Sequence, residues 1–179
     1  MKYVQAKGLD LSAFALGTVQ LGIEYGLGEH SAKPTEEAAF AILDRAVDLG
    51  VNTLDTANNY GDSEAVIGRW LTKRRAEGKK LPYIVTKVGP LKHGSYDILR
   101  DDVMYQLEGC MKRLCIDKLD IFMLHDYEDY ANDRDAMQKI FAEIKAQGLY
   151  DYSAISAYSR HDYGVIAESG FDATQIPIN

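Results

Sequence analysis

Three apolar runs in this chain each end in an ionisable residue of a different type. Val51-Asn52-Thr53-Leu54 closes on Asp55, Tyr83-Ile84-Val85-Thr86 on Lys87, and Ile121-Phe122-Met123-Leu124 on His125. Tyr60 follows Asp55 by five residues, beside Gly61. A charge at the end of a buried strand is costly unless an opposite charge meets it. The chemistry open to such a set is proton transfer at a carbonyl. A tyrosine hydroxyl gives its proton to the oxygen as hydride reaches the carbon, but its unperturbed pKa of about 10 makes it reluctant near neutrality. A nearby ammonium favours phenolate and lowers that pKa. Asp55 would keep Lys87 charged and oriented, and His125 would donate a hydrogen bond that polarises the carbonyl. Taken singly, each residue has a plainer explanation: a loop-holding aspartate, a snorkelling lysine, a satisfied core histidine, a turn tyrosine. The coincidence of three successive strands favours a site, provided that the strands run parallel.

The pattern along the chain supplies that condition. Residues 2–12 read as a hairpin turning at Lys7-Gly8, and Phe14-Ala15-Leu16, ended by Gly17-Thr18, as a first strand. Gly22 to Ser31 reads as an exposed loop; its Gly26-Leu27-Gly28 lacks the strand–glycine–helix context of a dinucleotide fingerprint. A helix capped by Thr35 runs to Gly50, and a second, capped by Ser63, runs to Gly78. Between and after them come the strands with Asp55 and Lys87. A third helix over residues 97–115, a strand over 119–125, a helix over 136–147 and a strand over 150–156 follow. A short helix over 163–168 and a sixth strand over 174–179 complete the series. Six strands alternating with five helices demand a parallel sheet with helical crossovers. A doubly wound sheet and a (β/α)8 barrel both satisfy this, and both place ligands beyond the carboxyl ends of the strands.

Bulk properties narrow the function classes. With 179 residues, 46% of them hydrophobic, the chain is expected to form a single domain over residues 1–179, a hairpin at 1–12 preceding the strands and helices of 13–179. A formal charge of −7 argues against nucleic acid or an anionic membrane as partner. No apolar run reaches the length of a membrane span, and the opening residues do not resemble a signal peptide, so a cytoplasmic location is expected. Cys110 and Cys115, five apart on one helix, match no metal-ligand spacing and read as buried or groove thiols. No His/Asp cluster suggests a metal, and no serine or cysteine has the context of a nucleophile.

Ala15-Leu16-Gly17-Thr18, the stretch Gly50-Val51-Asn52-Thr53-Leu54-Asp55-Thr56-Ala57, and Tyr60-Gly61-Asp62-Ser63-Glu64 together resemble the aldo-keto reductases. The resemblance implies a TIM barrel with a bottom-capping hairpin, and a catalytic tetrad on Asp55, Tyr60, Lys87 and His125. It also implies NADP(H), with NAD(H) as the alternative, and Tyr60 as acid and base for carbonyl reduction or alcohol oxidation. Ser153-Ala154-Ile155-Ser156-Ala157 is similar to the family segment that holds the nicotinamide carboxamide, Ala157 standing where many members have asparagine. Gln175 matches a glutamine with the same role, and Gly17, Thr18 and Asp55 would line the cofactor side. Tyr25, Leu91, His93 and Tyr127 follow strands and are candidates for the pocket wall.

A complete barrel has eight strands and about 250 residues, so the resemblance implies a barrel truncated after strand 6. Two open sheet edges would then invite self-association or aggregation, at a cost comparable with the whole stability of an ordinary domain. Two other readings compete with the oxidoreductase: a catalytically incomplete binding remnant, and a lyase using Lys87 as a Schiff-base nucleophile. The substrate expected is a small carbonyl or alcohol, not further specified by these residues.

Overall fold

The computed structural model describes residues 1–26, 32–158 and 163–178. Of the loop expected over Gly22 to Ser31, residues 27–31 lie outside this set, as does Asn179 at the end of the expected sixth strand. The hairpin forms as expected, from β1 (Tyr3–Ala6) and antiparallel β2 (Leu9–Ser12). Lys7 and Gly8 both have positive φ, 47° and 86°, the conformation a two-residue hairpin turn requires. Next come β3 (Leu16–Gly17), α1 (Val19–Gly22), α2 (Glu36–Asp48), β4 (Thr53–Asp55), α3 (Ser63–Ala76) and β5 (Tyr83–Val88). They are followed by α4 (Tyr96–Leu114), β6 (Leu119–Leu124), α5 (Tyr127–Ala131), α6 (Arg134–Ala146), β7 (Tyr150–Ser156), α7 (Tyr163–Glu168) and β8 (Ala173–Gln175). The described residues thus contain two short helices, α1 and α5, beyond the five expected. One helical turn is too short to carry a 3.6-residue period.

The six later strands hydrogen-bond in the order β3-β4-β5-β6-β7-β8, and the recorded registers are all parallel. Spatial order follows chain order throughout. A doubly wound sheet reverses its order at a switch point, and no reversal occurs here, so the topology is the sequential one of a barrel sheet.

The chain divides into two compact units. The first comprises Met1–Val85 and Arg113–Ile116. Its core gathers Leu43, Leu54, Ile67, Trp70 and Leu71, all buried. Thr35 caps α2 as expected, accepting a hydrogen bond from the Ala38 N–H, with Glu36 and Glu37 in the first turn. Asp44 on α2 accepts from the Trp70 indole N–H at 3.0 Å and the Arg74 guanidinium at 2.8 Å, which ties α2 to α3. The hairpin attaches at the amino end of β4. Asn52 accepts from Ser12 N–H and donates to the Asp10 carbonyl, while the Tyr3 hydroxyl donates to the Gly50 carbonyl. An open pocket of about 250 Å³ lies at this end, lined by residues that include Tyr3, Asp10, Asn52 and Lys80.

The second unit comprises Thr86–Lys112 and Asp117–Asn179. Here the strands are buried along most of their length, as parallel strands with two covered faces should be. An aromatic cluster fills part of the space: Phe122 stacks on Phe141 at 4.9 Å, and Phe171 meets Phe141 and Tyr130 edge-on. Cys110 is buried on α4, but Cys115 is exposed, against the expectation for it. It follows α4 with φ 55°, a left-handed helix-ending conformation.

Candidate active site

In the first unit, β4 delivers Asp55 as its last residue, opposite Gly17 of β3 and Val85 of β5. Asp55 is half-buried, and its carbonyl accepts both the Thr18 N–H, at 3.0 Å, and the Thr18 hydroxyl, at 2.9 Å. Gly17 ends β3 at the same level, and a Cβ placed there would meet nothing within 4 Å. The backbone then turns through Thr56 and Ala57, both buried, to the half-buried Tyr60. Thr56 N–H donates to the Val85 carbonyl, Tyr60 N–H to the Ala57 carbonyl, and Ser63 N–H to the Tyr60 carbonyl. Gly61, with φ 57°, makes the turn that starts α3.

Ser63 does not cap α3 as its sequence context suggests. It is the first helical residue, and its hydroxyl turns inward, within 2.9 Å of the Thr18 carbonyl and 3.0 Å of the Thr18 hydroxyl. Thr56 donates to it in turn, at 3.1 Å.

In the second unit, Lys87 is the fifth residue of β5 and only 1% exposed. An ammonium so enclosed is tolerated only where it is paired or hydrogen-bonded. His125 directly follows β6, half-buried, and its N–H donates to the Val88 carbonyl at 2.9 Å, so the backbone at His125 is joined to that of β5 one residue beyond Lys87. Ser156 ends β7 opposite Gln175, which ends β8. Ser156 and Ala157 are buried, Gln175 is exposed, and the Ala157 N–H donates to the Gln175 carbonyl at 3.0 Å. Except for Tyr60, which lies five residues past β4, each candidate therefore stands within one residue of the carboxyl end of its strand. Gly17, Thr18, Asp55 and Tyr60 are gathered in one unit, and Lys87, His125, Ser156, Ala157 and Gln175 belong to the other.

The loop after β5 is held by side chains that sequence reasoning passed over. Gln106 of α4 accepts from Gly89 N–H and donates to the Pro90 carbonyl, and Asp102 accepts from Lys92 N–H. Asp129 of α5 accepts from Leu91 N–H and lies 3.0 Å from His93 Nε2. Burial pushes the Asp129 carboxyl above its usual range, against the lowering effect of the Leu91 N–H and of His93. Of the suggested wall residues, Leu91 and Tyr127 are buried and Tyr25 is exposed.

Comparison with known proteins decides the family. The model of the Aldo/keto reductase family matches residues 13–179. The chain belongs to the aldo-keto reductase family. Among curated relatives, it is 32% identical over 154 residues to L-galactose dehydrogenase of Arabidopsis thaliana, covering 83% of this chain and 46% of that one. It is 30% identical over 152 residues to D-arabinose 1-dehydrogenase of Saccharomyces cerevisiae, covering 83% of this chain and 44% of the relative. A solved structure of a thermostable aldo-keto reductase with the inhibitor epalrestat superposes with a TM-score of 0.75 at 28% identity, covering 100% of this chain and 63% of that one. The chain spans about half the length of the curated relatives it matches.

Proposed function

We propose that this aldo-keto reductase chain carries the proton-transfer residues of an NADP(H)-dependent oxidoreductase that interconverts an aldehyde or ketone with its alcohol, on a barrel of which these six strands form part. The observation that carries the reading is the placement of Asp55, Lys87 and His125 at the carboxyl ends of three successive parallel strands, with Tyr60 in the turn after the first. In this reading Tyr60 gives its proton to the carbonyl oxygen during reduction and takes it back during oxidation. Lys87 stabilises the phenolate, which brings proton transfer within reach near neutral pH. Asp55 keeps Lys87 charged, and His125 donates to the carbonyl oxygen, polarising it as negative charge develops.

Two features suit a nicotinamide. The space over Gly17 is open. Ser156 and Gln175 stand opposite each other at the ends of β7 and β8 and offer a hydroxyl and a primary amide, groups complementary to a carboxamide. Ser156 and Gln175 would hold that carboxamide, with Gly17, Thr18, Asp55 and Ala157 lining the cofactor side. When bound, the reduced nicotinamide supplies the hydride; the proton comes from Tyr60 and is replaced from solvent. NADP(H) rather than NAD(H) is part of the proposal.

The test is to follow NADPH oxidation by the purified protein with a panel of aldehydes and ketones. Aldoses belong on the panel, because two relatives are named as sugar dehydrogenases. Turnover that falls at least about a hundredfold in Tyr60→Phe, within the range of general acid catalysis, supports the reading. Turnover that survives the substitution removes it.

A further inference from the structure

We propose that Gly22 and the hydroxyl chain Thr56–Ser63–Thr18 are positioning residues for Tyr60; the inference rests on the role given to Tyr60 above. The turn that carries Tyr60 is crossed at close range by the end of α1. A Cβ built on Gly22 would overlap the Tyr60 carbonyl oxygen outright and stand 2.5 Å from the Ser63 nitrogen and 2.9 Å from its Cβ. A Cβ on Gly61 would in turn stand 2.5 Å from the Gly22 carbonyl oxygen. Two backbones therefore pass each other with room for hydrogen alone, and the requirement falls on position 22 for steric rather than conformational reasons.

The second device is polar. Thr56 Oγ1 donates to Ser63 Oγ at 3.1 Å, Ser63 Oγ reaches Thr18 Oγ1 at 3.0 Å, and Thr18 Oγ1 donates to the Asp55 carbonyl at 2.9 Å. The chain leaves residue 56 and returns to residue 55 by way of α3 and the end of β3, so it closes around the peptide that precedes the Tyr60 turn. All three hydroxyl residues are buried. Hydrogen bonds in such a chain polarise one another and fix a single arrangement, and a missing member leaves a buried polar atom unfilled. Ser63 N–H also donates to the Tyr60 carbonyl, at 3.1 Å. Gly22 from one side and Ser63 from the other thus set the height of the Tyr60 backbone. A phenol that must meet a carbonyl oxygen at hydrogen-bond distance loses rate steeply when displaced by an ångström.

The experiment compares Gly22→Ala, Thr56→Val and Thr56→Ser with the unaltered protein and with Tyr60→Phe. It reads kcat, the dissociation constant of NADPH, and hydrogen exchange of the 57–63 amides by mass spectrometry. The expected result for Gly22→Ala is a kcat lowered at least about tenfold, NADPH binding within about threefold, and faster exchange of the Tyr60–Ser63 segment. Thr56→Val should lower kcat in the same way, and Thr56→Ser, which restores the donor, should recover it. The valine–serine pair carries the test where Gly22→Ala fails to fold. Unchanged kcat and exchange in the glycine and valine variants, alongside a dead Tyr60→Phe, overturn the positioning role alone. Turnover that survives Tyr60→Phe removes the role of Tyr60, and the inference with it.

Discussion

Removing the Asp44 carboxylate tests how firmly α2 and α3 are joined behind the strand that carries Asp55. Asp44 accepts from two donors, the Trp70 indole N–H at 3.0 Å and Arg74 Nη1 at 2.8 Å. Trp70 is 0% exposed and Arg74 6%, and the guanidinium lies 4.9 Å from the indole ring centroid. Asp44→Ala takes the acceptor from an indole N–H that water does not reach, at about 1 to 3 kcal/mol. It also takes the carboxylate from an enclosed cation, and removing one partner of a buried pair costs about 3 to 5 kcal/mol. The Asp44 side chain is 35% exposed, so water reaches part of the site, and Arg74 also donates to the Lys80 carbonyl. The expected total is therefore about 3 kcal/mol, near the lower end of that range. For a chain of this size that lowers Tm by roughly 6 to 12 °C. Trp70 is the only tryptophan, so urea unfolding followed by its fluorescence reports from the altered site itself. Asp44→Asn keeps a carbonyl acceptor and should lose less than half as much. Loss of under about 1 kcal/mol in Asp44→Ala, or equal loss in the two variants, would refute the claim that this carboxylate joins the helices.

Two further outcomes follow from buried polar groups. Burial, with a smaller effect of Asp172, pushes the Tyr150 hydroxyl up to about 12, and that hydroxyl donates to the Phe141 carbonyl at 2.8 Å. The folded state then holds a proton that the unfolded tyrosine releases near pH 10, so stability is full below pH 10 and falls by roughly 2 to 3 kcal/mol as pH rises toward 12. Tyr150→Phe should lose that part of the alkaline decline, read as urea midpoints of the two proteins at pH 9 and 11.5; equal declines would exclude the effect. Arg113 approaches Glu64 Oε2 through Nε and Nη2, each at 2.7 Å, and the Glu64 side chain is 1% exposed against 38% for Arg113. Arg113→Ala, which leaves the buried carboxylate without this guanidinium, should therefore cost about 3 kcal/mol and more than Glu64→Gln; the reverse order in denaturant midpoints would contradict the burial argument.

The strand ends were the legible part of this fold. Parallel strands covered on both faces read as apolar runs, so Leu54, Val85 and Leu124 announced where Asp55, Lys87 and His125 would stand. The hairpin was equally plain, since Lys7-Gly8 favours the positive-φ turn that joins its strands, and Thr35 capped α2 where it was expected. Pattern failed where the cause was not local. Ser63 has the neighbours of an N-cap, but a buried threonine forty-five residues earlier draws its hydroxyl inward. Cys115 follows the stripe of α4, yet the helix ends there and turns it outward. Helices α1 and α5 are too short to show a period. Gly22 reads in sequence as the start of an exposed loop, but it ends α1, and only the crossing of two backbones gives the absence of a side chain its meaning. Asp129, Asp102 and Gln106 act on backbone N–H groups of a distant loop, a role that no spacing in their own helices announces.

The most direct test of hydride and proton transfer uses NADPH deuterated at C4 of the nicotinamide in a single turnover with an accepted carbonyl, in the unaltered protein and in Tyr60→Phe. Deuterium is expected on the carbinol carbon of the alcohol, with product formation slowed at least about a hundredfold in Tyr60→Phe while NADPH still binds. Substrate trapped on Lys87 by borohydride with no deuterium transferred, or an undiminished single turnover in Tyr60→Phe, would contradict the proposed function.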